Sequence, residues 1–291
     1  MTQVTRHTID VGPVQLSYLA SGPAHGEPVV CLHGIPAGAE LWRDVLPRLG
    51  DAGYRAYAPD LPGYGSTRVP GNGDRSLAGA AELLARWLVE RRIGPVWVVG
   101  HDLGGAVAQI LAVRHGEVVG RLSLSNSVYR DNWPVPVIAR TRALARLGLY
   151  PPAAAAGLVV NPYTNWELAR AFADPSRLTR EDRDRVFCDG KVRDPRGRTE
   201  FAGHLASLDS AQTVAVADGL AGVGVPVLLI WGVQDPHQPW APNGEALRDA
   251  FDRGRDAGGY ADVVLLDDAG HFGPLECPEA FVDALLAWRE V

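Results

Sequence analysis

The fold of this chain is decided by the stretch PVWVVGHDLGGAVA, which occupies residues 95–108. It opens with a short run of apolar, mostly β-branched residues, and it closes with small residues in a helical pattern. Between these halves, Gly100, Gly104 and Gly105 indicate a turn in which backbone passes close to backbone. The stretch therefore predicts a strand, a tight turn and a helix, with Asp102 at the apex of the turn.

Strand and helix patterns alternate on both sides of this turn. A hairpin is predicted around Gly12-Pro13, and further strands are predicted at 28–32, 55–58, 121–125, 226–231 and 261–266. Helices are predicted from the spacing of apolar residues at 41–49, 77–91 and 278–288. This alternation predicts an α/β fold with a mostly parallel, eight-stranded sheet flanked by helices on both faces.

The alternation stops between residues 128 and 212. Helical patterns at 138–149, 163–172 and 200–208 follow one another there, with no β-rich run between them. Strand pattern returns at 226. We therefore expect a core formed by 1–127 and 213–291, with 128–212 as a helical insertion after the sixth strand.

Three further signals follow predicted strands. His33-Gly-Ile-Pro36 follows the third strand, Asp235 follows the seventh and His271 follows the eighth. The carboxyl ends of parallel strands meet at one edge of a sheet, where ligands and catalytic groups gather. Asp102, Asp235 and His271 are therefore expected to lie close together.

Each of these residues also has a structural interpretation. Asp102 can be the N-cap of the following helix, Asp235 a turn residue before a proline, and His271 a loop residue without a further role. Asp131 and Asn126 are rival partners for His271. Four motifs in order, each after a predicted strand, favour the catalytic interpretation.

The turn at Asp102 has the pattern of a nucleophile elbow, G-x-S-x-G, with aspartate in the serine position. With the chain order nucleophile, acid, histidine, the sequence resembles the Asp-nucleophile branch of the α/β-hydrolase fold family, which contains epoxide hydrolases and haloalkane dehalogenases. The resemblance implies that Asp102 forms an alkyl-enzyme ester, which a water activated by His271 and Asp235 cleaves. It also implies that the N–H groups of Leu103 and Ile35 bind the oxyanion, and that 128–212 is a cap domain.

Several function classes lack their motif. The chain contains no G-x-S-x-G or G-x-C-x-G, which removes the nucleophile of serine esterases, lipases, thioesterases and peptidases. The glycine-rich turn is not a phosphate loop, because Asp102 would repel phosphate and no Gly-Lys-Ser/Thr is present.

Within the branch, the resemblance favours epoxide hydrolysis. Haloalkane dehalogenases usually place Trp and Asn, as halide donors, where this chain has Leu103 and Ile35, whose side chains donate no hydrogen bond. Epoxide hydrolases instead use acidic O–H donors from the cap. Candidate cap contacts to substrate are Tyr129, Tyr150, Tyr163, Trp133 and Trp166. His204 is a further candidate donor, although a solvated histidine is the commoner case. A haloalkane dehalogenase-like hydrolase, or a non-hydrolytic or binding member of the fold, remains the alternative.

Composition limits the partners. A formal net charge of −6 gives no indication of a basic surface for nucleic acid. The sequence pattern also predicts neither a signal peptide nor a membrane-spanning segment. Three distant cysteines fit reduced thiols in a cytoplasm. We expect a cytoplasmic monomer or homodimer that acts on a small apolar organic substrate without metal or cofactor. We attribute the single lysine, Lys191, to codon usage rather than to chemistry.

Overall fold

A computed structural model describes residues 2–160, 162–188, 191–253 and 261–289, without the side chains of Pro162, Tyr163 and Arg289. Its sheet contains eight strands in the order β1-β2-β4-β3-β5-β6-β7-β8. The strands are β1 (Thr5–Val11), β2 (Val14–Ser21), β3 (Pro28–Leu32), β4 (Arg55–Pro59), β5 (Val96–His101), β6 (Val119–Ser125), β7 (Val227–Gly232) and β8 (Ala261–Leu266). Strand β2 pairs antiparallel with β1 and β4, and all other pairings are parallel. The predicted fold class is confirmed.

Helices connect these strands. The α-helices are α1 (Val45–Asp51), α2 (Leu77–Arg91), α3 (Leu103–Arg114), α4 (Pro136–Arg146), α5 (Tyr150–Ala155), α6 (Pro162–Ala169), α7 (Arg180–Asp182), α8 (Pro195–Ser207), α9 (Ala211–Ala217), α10 (Glu245–Asp252), α11 (Gly273–Glu276) and α12 (Pro278–Arg289). Short 3₁₀ turns lie at Ala39–Trp42, Gly116–Val118, Pro175–Arg177 and Asp218–Gly222, and π-helical turns at Arg183–Cys188 and Trp240–Gly244.

The two faces of β5 belong to two different halves of the core. Val96 and Val98 pack with residues of α2 and α3, whereas Trp97 and Val99 pack with residues of α1 and α12. A strand that is covered on both faces has no solvent side, which explains the continuous apolar run that the sequence shows. The packing fixes β5, and with it the position of the turn that follows.

The described residues between β6 and β7 contain helices α4 to α9 and no strand. The helix predicted over 138–149 corresponds to α4, which ends at Arg146, and Gly148 with a φ of 72° separates α4 from α5. A left-handed glycine commonly ends a helix. The division at 128 and 212 stays a prediction, and residue 212 lies inside α9. Among the described helices, none has the length and apolar character needed to cross a membrane.

Candidate active site

Asp102 lies in a strained turn between β5 and α3. Its φ of 51° and ψ of −117° fall outside the common regions for a residue with a side chain. Its carboxylate does not cap α3 but accepts a hydrogen bond from the backbone N–H of Ile35 at 2.8 Å. Gly34 allows this approach, since a Cβ there would come within 2.3 Å of the Asp102 Oδ2 atom. Strain kept at one polar residue that a neighbouring loop contacts is typical of a functional site.

Burial sets the charge of Asp102. Loss of solvation raises the pKa of this carboxyl to about 6, although the charge of His271 and the N–H groups of Leu103 and Ile35 act in the opposite direction. The two backbone donors are those that the sequence predicted as an oxyanion site. They therefore already contact the carboxylate in the resting structure.

Asp235 and His271 form a buried pair. The Asp235 Oδ2 atom lies 2.7 Å from His271 Nδ1, and it also accepts a hydrogen bond from Asn126 Nδ2 at 2.8 Å. Its other oxygen accepts the N–H of His237 at 2.7 Å. Burial favours a higher pKa for Asp235, but the charge and hydrogen bond of His271 hold it at about 2. Asn126 thus orients Asp235 rather than replacing it, and the rival Asp131 is exposed.

His271 is strongly basic. Burial favours a lower pKa for this imidazole, but the charge and hydrogen bond of Asp235, followed by the charge of Asp102, raise it to about 9. The rings of His101 and His237 lie 4.8 and 5.9 Å from that of His271. Burial, and then the charge of His271, lower the pKa of both neighbours, so only His271 is poised to carry the proton.

Asp102 and His271 open onto a cavity of about 360 Å³. Its wall includes Ile35 and Leu103 from the core and many apolar side chains from the helices between β6 and β7. The predicted contacts Trp133 and Tyr150 line it. Such a volume with a mostly apolar wall suits a small organic molecule.

Three other candidates, Tyr129, Trp166 and His204, are not among the described residues that line the cavity. Tyr129 is buried in the core and does not line the cavity. Trp166 is 55% exposed and stacks on Arg170 at 4.8 Å. His204 is buried, not solvated, with Nδ1 at 2.8 Å from the carbonyl of Arg75. The side chain of Tyr163 lies outside the described residues.

Sequence reasoning missed three features of the site. Glu276 accepts the N–H groups of Gly270 and Phe272, each at 3.1 Å, and so holds the loop that carries His271. Lys191 and Arg183 line the cavity from the helical region. A lysine count of one was the available signal for Lys191. Among the described residues, no group of His, Cys, Asp and Glu side chains could hold a metal ion.

Comparison with known proteins agrees with the fold. A family model described as "Alpha/beta hydrolase family" matches residues 29–284. The chain belongs to the alpha/beta hydrolase family. An alpha/beta hydrolase fold protein from Burkholderia ambifaria has a related structure, with a TM-score of 0.77, 25% identity, and 97% and 100% of the two chains covered.

Curated relatives of this alpha/beta hydrolase carry different activities, and two of them bear on the expected chemistry. A haloalkane dehalogenase from Mycobacterium marinum is 32% identical over 126 residues, which is 41% of this chain and 42% of the relative. A soluble epoxide hydrolase from Corynebacterium sp. strain C12 is 32% identical over 143 residues, 47% and 48% of the two chains. The chain thus aligns with less than half the length of each of these relatives, and the shared part does not decide between the two chemistries.

Proposed function

We propose that this protein is an epoxide hydrolase that opens its substrate with Asp102 as nucleophile. The observation that carries the proposal is a buried carboxylate at a strand–helix turn, held by the Ile35 N–H. It lines the same cavity as His271, which is paired with Asp235. Serine-dependent relatives of the fold use this position for a hydroxyl. A carboxylate there can attack carbon directly, because it needs no base.

In the first step, an Asp102 oxygen attacks an epoxide carbon and the carbon–oxygen bond of the ring breaks. The new alkoxide takes a proton from the hydroxyl of Tyr150, and an ester remains on Asp102. Protonated His271 then returns a proton to the Tyr150 phenolate and becomes the neutral base. In the second step, His271 takes a proton from water as the water oxygen attacks the ester carbonyl, and the N–H groups of Leu103 and Ile35 receive the oxyanion. When the intermediate collapses, the departing alkoxide takes the carboxyl proton, the diol leaves, and Asp102 and His271 regain their resting charges.

The coupling between Asp102 and His271 gives these steps their order. In the resting protein the charge of Asp102 helps to keep His271 protonated. Formation of the ester removes that charge, so the pKa of His271 falls when a base is needed. Asp235 remains ionised and stabilises the imidazolium that forms when water is deprotonated.

Tyr150 supports epoxide over halide chemistry. Among the three tyrosines predicted in the insertion, it is the one whose described side chain lines the cavity, and its hydroxyl lies 3.3 Å from the carbonyl of Lys191. An alkoxide needs a proton, whereas a halide does not. Haloalkane dehalogenation is the second candidate, and it is favoured by the similarity to the mycobacterial dehalogenase.

The test is to trap the ester in His271→Gln. With styrene oxide, the intact mass of this variant should rise by the mass of the whole epoxide, because alkylation proceeds and hydrolysis stops. With phenethyl bromide, an adduct lacking bromine would support the second candidate instead. Mass spectrometry of the protein and of its Asp102 peptide provides both readouts.

His237→Gln is the matched control. This histidine lines the same cavity and its ring contacts His271, but its side chain is not hydrogen-bonded to Asp235. It should accumulate no adduct. An unmodified His271→Gln protein, with substrates that the wild type converts, would refute the covalent mechanism.

A further inference from the structure

Lys191 is the only lysine of the chain, and it lies inside the protein. Its side chain lines the same cavity as Asp102, and the residue is only 2% exposed. Its Nζ atom lies 3.4 Å from the carbonyl of Val186 and 5.7 Å from the centre of the Tyr64 ring. Lysine is among the residues least often buried to this extent, because desolvation of its charge is costly.

The field of this ammonium group reaches the candidate active site. Burial, and among further effects the charge of Lys191, lower the pKa of His33 to about 4. His33 begins the loop whose Ile35 N–H contacts Asp102. A Cβ on Gly38, just after this loop, would lie 3.9 Å from the Lys191 Nζ atom, so the cation lies near the loop that contacts Asp102.

A second cation lies in the same part of the wall. Arg183 lines the cavity, and its Nε atom is buried with no hydrogen-bond partner among the described residues. Lys191, Arg183 and Cys188 all line the cavity. Burial and the charge of Asp184 raise the pKa of the Cys188 thiol, and the charges of Lys191, Arg193 and Arg183 lower it. A buried guanidinium N–H without a partner is available to an acceptor on a ligand.

Negative charges in the wall limit what these cations can bind. Glu167 also lines the cavity and pairs with Arg170 at 3.6 Å, and Asp102 is ionised above a pH of about 6. Both would repel a dianion. A single carboxylate on an otherwise apolar molecule matches the cations, the apolar wall and the volume of about 360 Å³.

We propose that the cavity selects molecules that carry one carboxylate, bound by Lys191 and Arg183. The identity of the reacting group rests on the proposed function. The substrates are then epoxides that have an apolar body and a carboxylate. The carboxylate is recognised by charge, and the epoxide carbon is presented to Asp102.

Two ligands that lack an epoxide, one with and one without a carboxylate, test this subsite independently of catalysis. We use 4-propoxybenzoate and the isosteric 4-propoxybenzamide with the wild-type protein, followed by calorimetry or by the fluorescence of Trp133 in the cavity wall. The benzoate should bind at least tenfold more tightly than the benzamide. Equal affinities in the wild type would overturn the proposal without any variant.

Lys191→Met should remove most of the preference, and Lys191→Arg should retain it. Arg193→Met is the matched control, because Arg193 is a nearby cation of the same segment whose side chain is 65% exposed and pairs with Asp184. It should leave the preference intact. A parallel loss of affinity for both ligands in Lys191→Met would mean a packing role and would refute the proposal.

If Lys191→Met does not fold, as judged by circular dichroism, Arg183→Gln takes its place with the same expected direction. Failure of the proposed function has a different signature. In that case the protein still prefers the benzoate to the benzamide. Epoxide analogues of these two ligands would, however, leave Asp102 unmodified in the His271→Gln protein.

Discussion

Asp102 carries a charge that the folded protein disfavours. Its pKa is raised from the ordinary 3.8 to about 6, with burial as the main cause. A raised pKa in the folded state means that Asp102 contributes most to stability below pH 4, and that this contribution is lost as pH rises through 6. The proposed nucleophile therefore lowers stability in the pH range in which its carboxylate is ionised.

Asp102→Asn removes this charge with little change in shape. The free energy of unfolding of the variant, relative to the wild type, should rise by about 1 kcal/mol between pH 5 and pH 8. Urea denaturation at both pH values measures the difference. A difference that does not change with pH would show that the Asp102 pKa is not raised.

Tyr150 is the residue expected to distinguish epoxide opening from halide release. Its burial raises the pKa of the hydroxyl, which keeps the proton in place until an alkoxide forms. Tyr150→Phe should slow alkylation by an epoxide by about 10²-fold, the lower end for general acid catalysis. Rapid mixing with styrene oxide, followed by protein mass spectrometry, measures the rate.

Tyr129→Phe is the control for this change, because it removes a hydroxyl from a buried tyrosine that does not line the cavity. This variant should be alkylated by styrene oxide at close to the wild-type rate. Equal rates for the two variants would exclude Tyr150 as the proton donor.

At the scale of elements, the loop between β8 and α11 holds His271 in place. Glu276 at the end of α11 accepts the N–H groups of Gly270 and Phe272 on this loop. It also accepts the N–H of Ala173 at 2.7 Å, and the N–H of His271 donates to the carbonyl of Ala171 at 2.7 Å. The loop is thus tied both to its own helix and to the helical region between β6 and β7.

In Glu276→Gln, an NH₂ group takes the place of one acceptor oxygen. This group cannot accept the hydrogen bonds that the backbone N–H groups of the loop donate. The free energy of unfolding should fall by about 1–3 kcal/mol. As a positioning residue, Glu276 should affect ester hydrolysis more than alkylation, so the alkylated protein should accumulate during turnover. Mass spectrometry of the steady state checks this, because a merely structural effect would not change the ester fraction.

Glu279→Gln is the matched control on the neighbouring helix α12. The side chain of Glu279 is 80% exposed and pairs with Arg48 at 2.7 Å. Exposed ion pairs contribute little, so stability should change by less than about 0.5 kcal/mol. No ester should accumulate. Accumulation in both variants, or in neither, would contradict a positioning role for Glu276.

At the scale of the whole molecule, the sheet and the helical region supply different parts of the site. The carboxyl ends of β5, β7 and β8 lead to Asp102, Asp235 and His271. These strands pair in parallel through β6, so the turns that follow them meet at one edge. The helices between β6 and β7 supply most of the cavity wall, and with it the expected choice of substrate.

The sequence by itself determined the strands, the turn at Asp102 and the chain order of Asp102, Asp235 and His271. These are local signals: apolar runs predict buried strands, glycines predict a sharp turn, and parallel strands bring their ends together. The pairing of Asp235 with His271 at 2.7 Å follows from that topology.

Only the tertiary structure decided which helical side chains face the cavity. Tyr150 does, whereas Tyr129 packs in the core and Trp166 faces outward. Lys191, which the sequence suggested was a matter of codon usage, is buried beside the site. The orientation of a short helix depends on the elements packed against it. Likewise, the pKa values near 6 and 9 at Asp102 and His271 arise from burial and from charges that are distant in sequence.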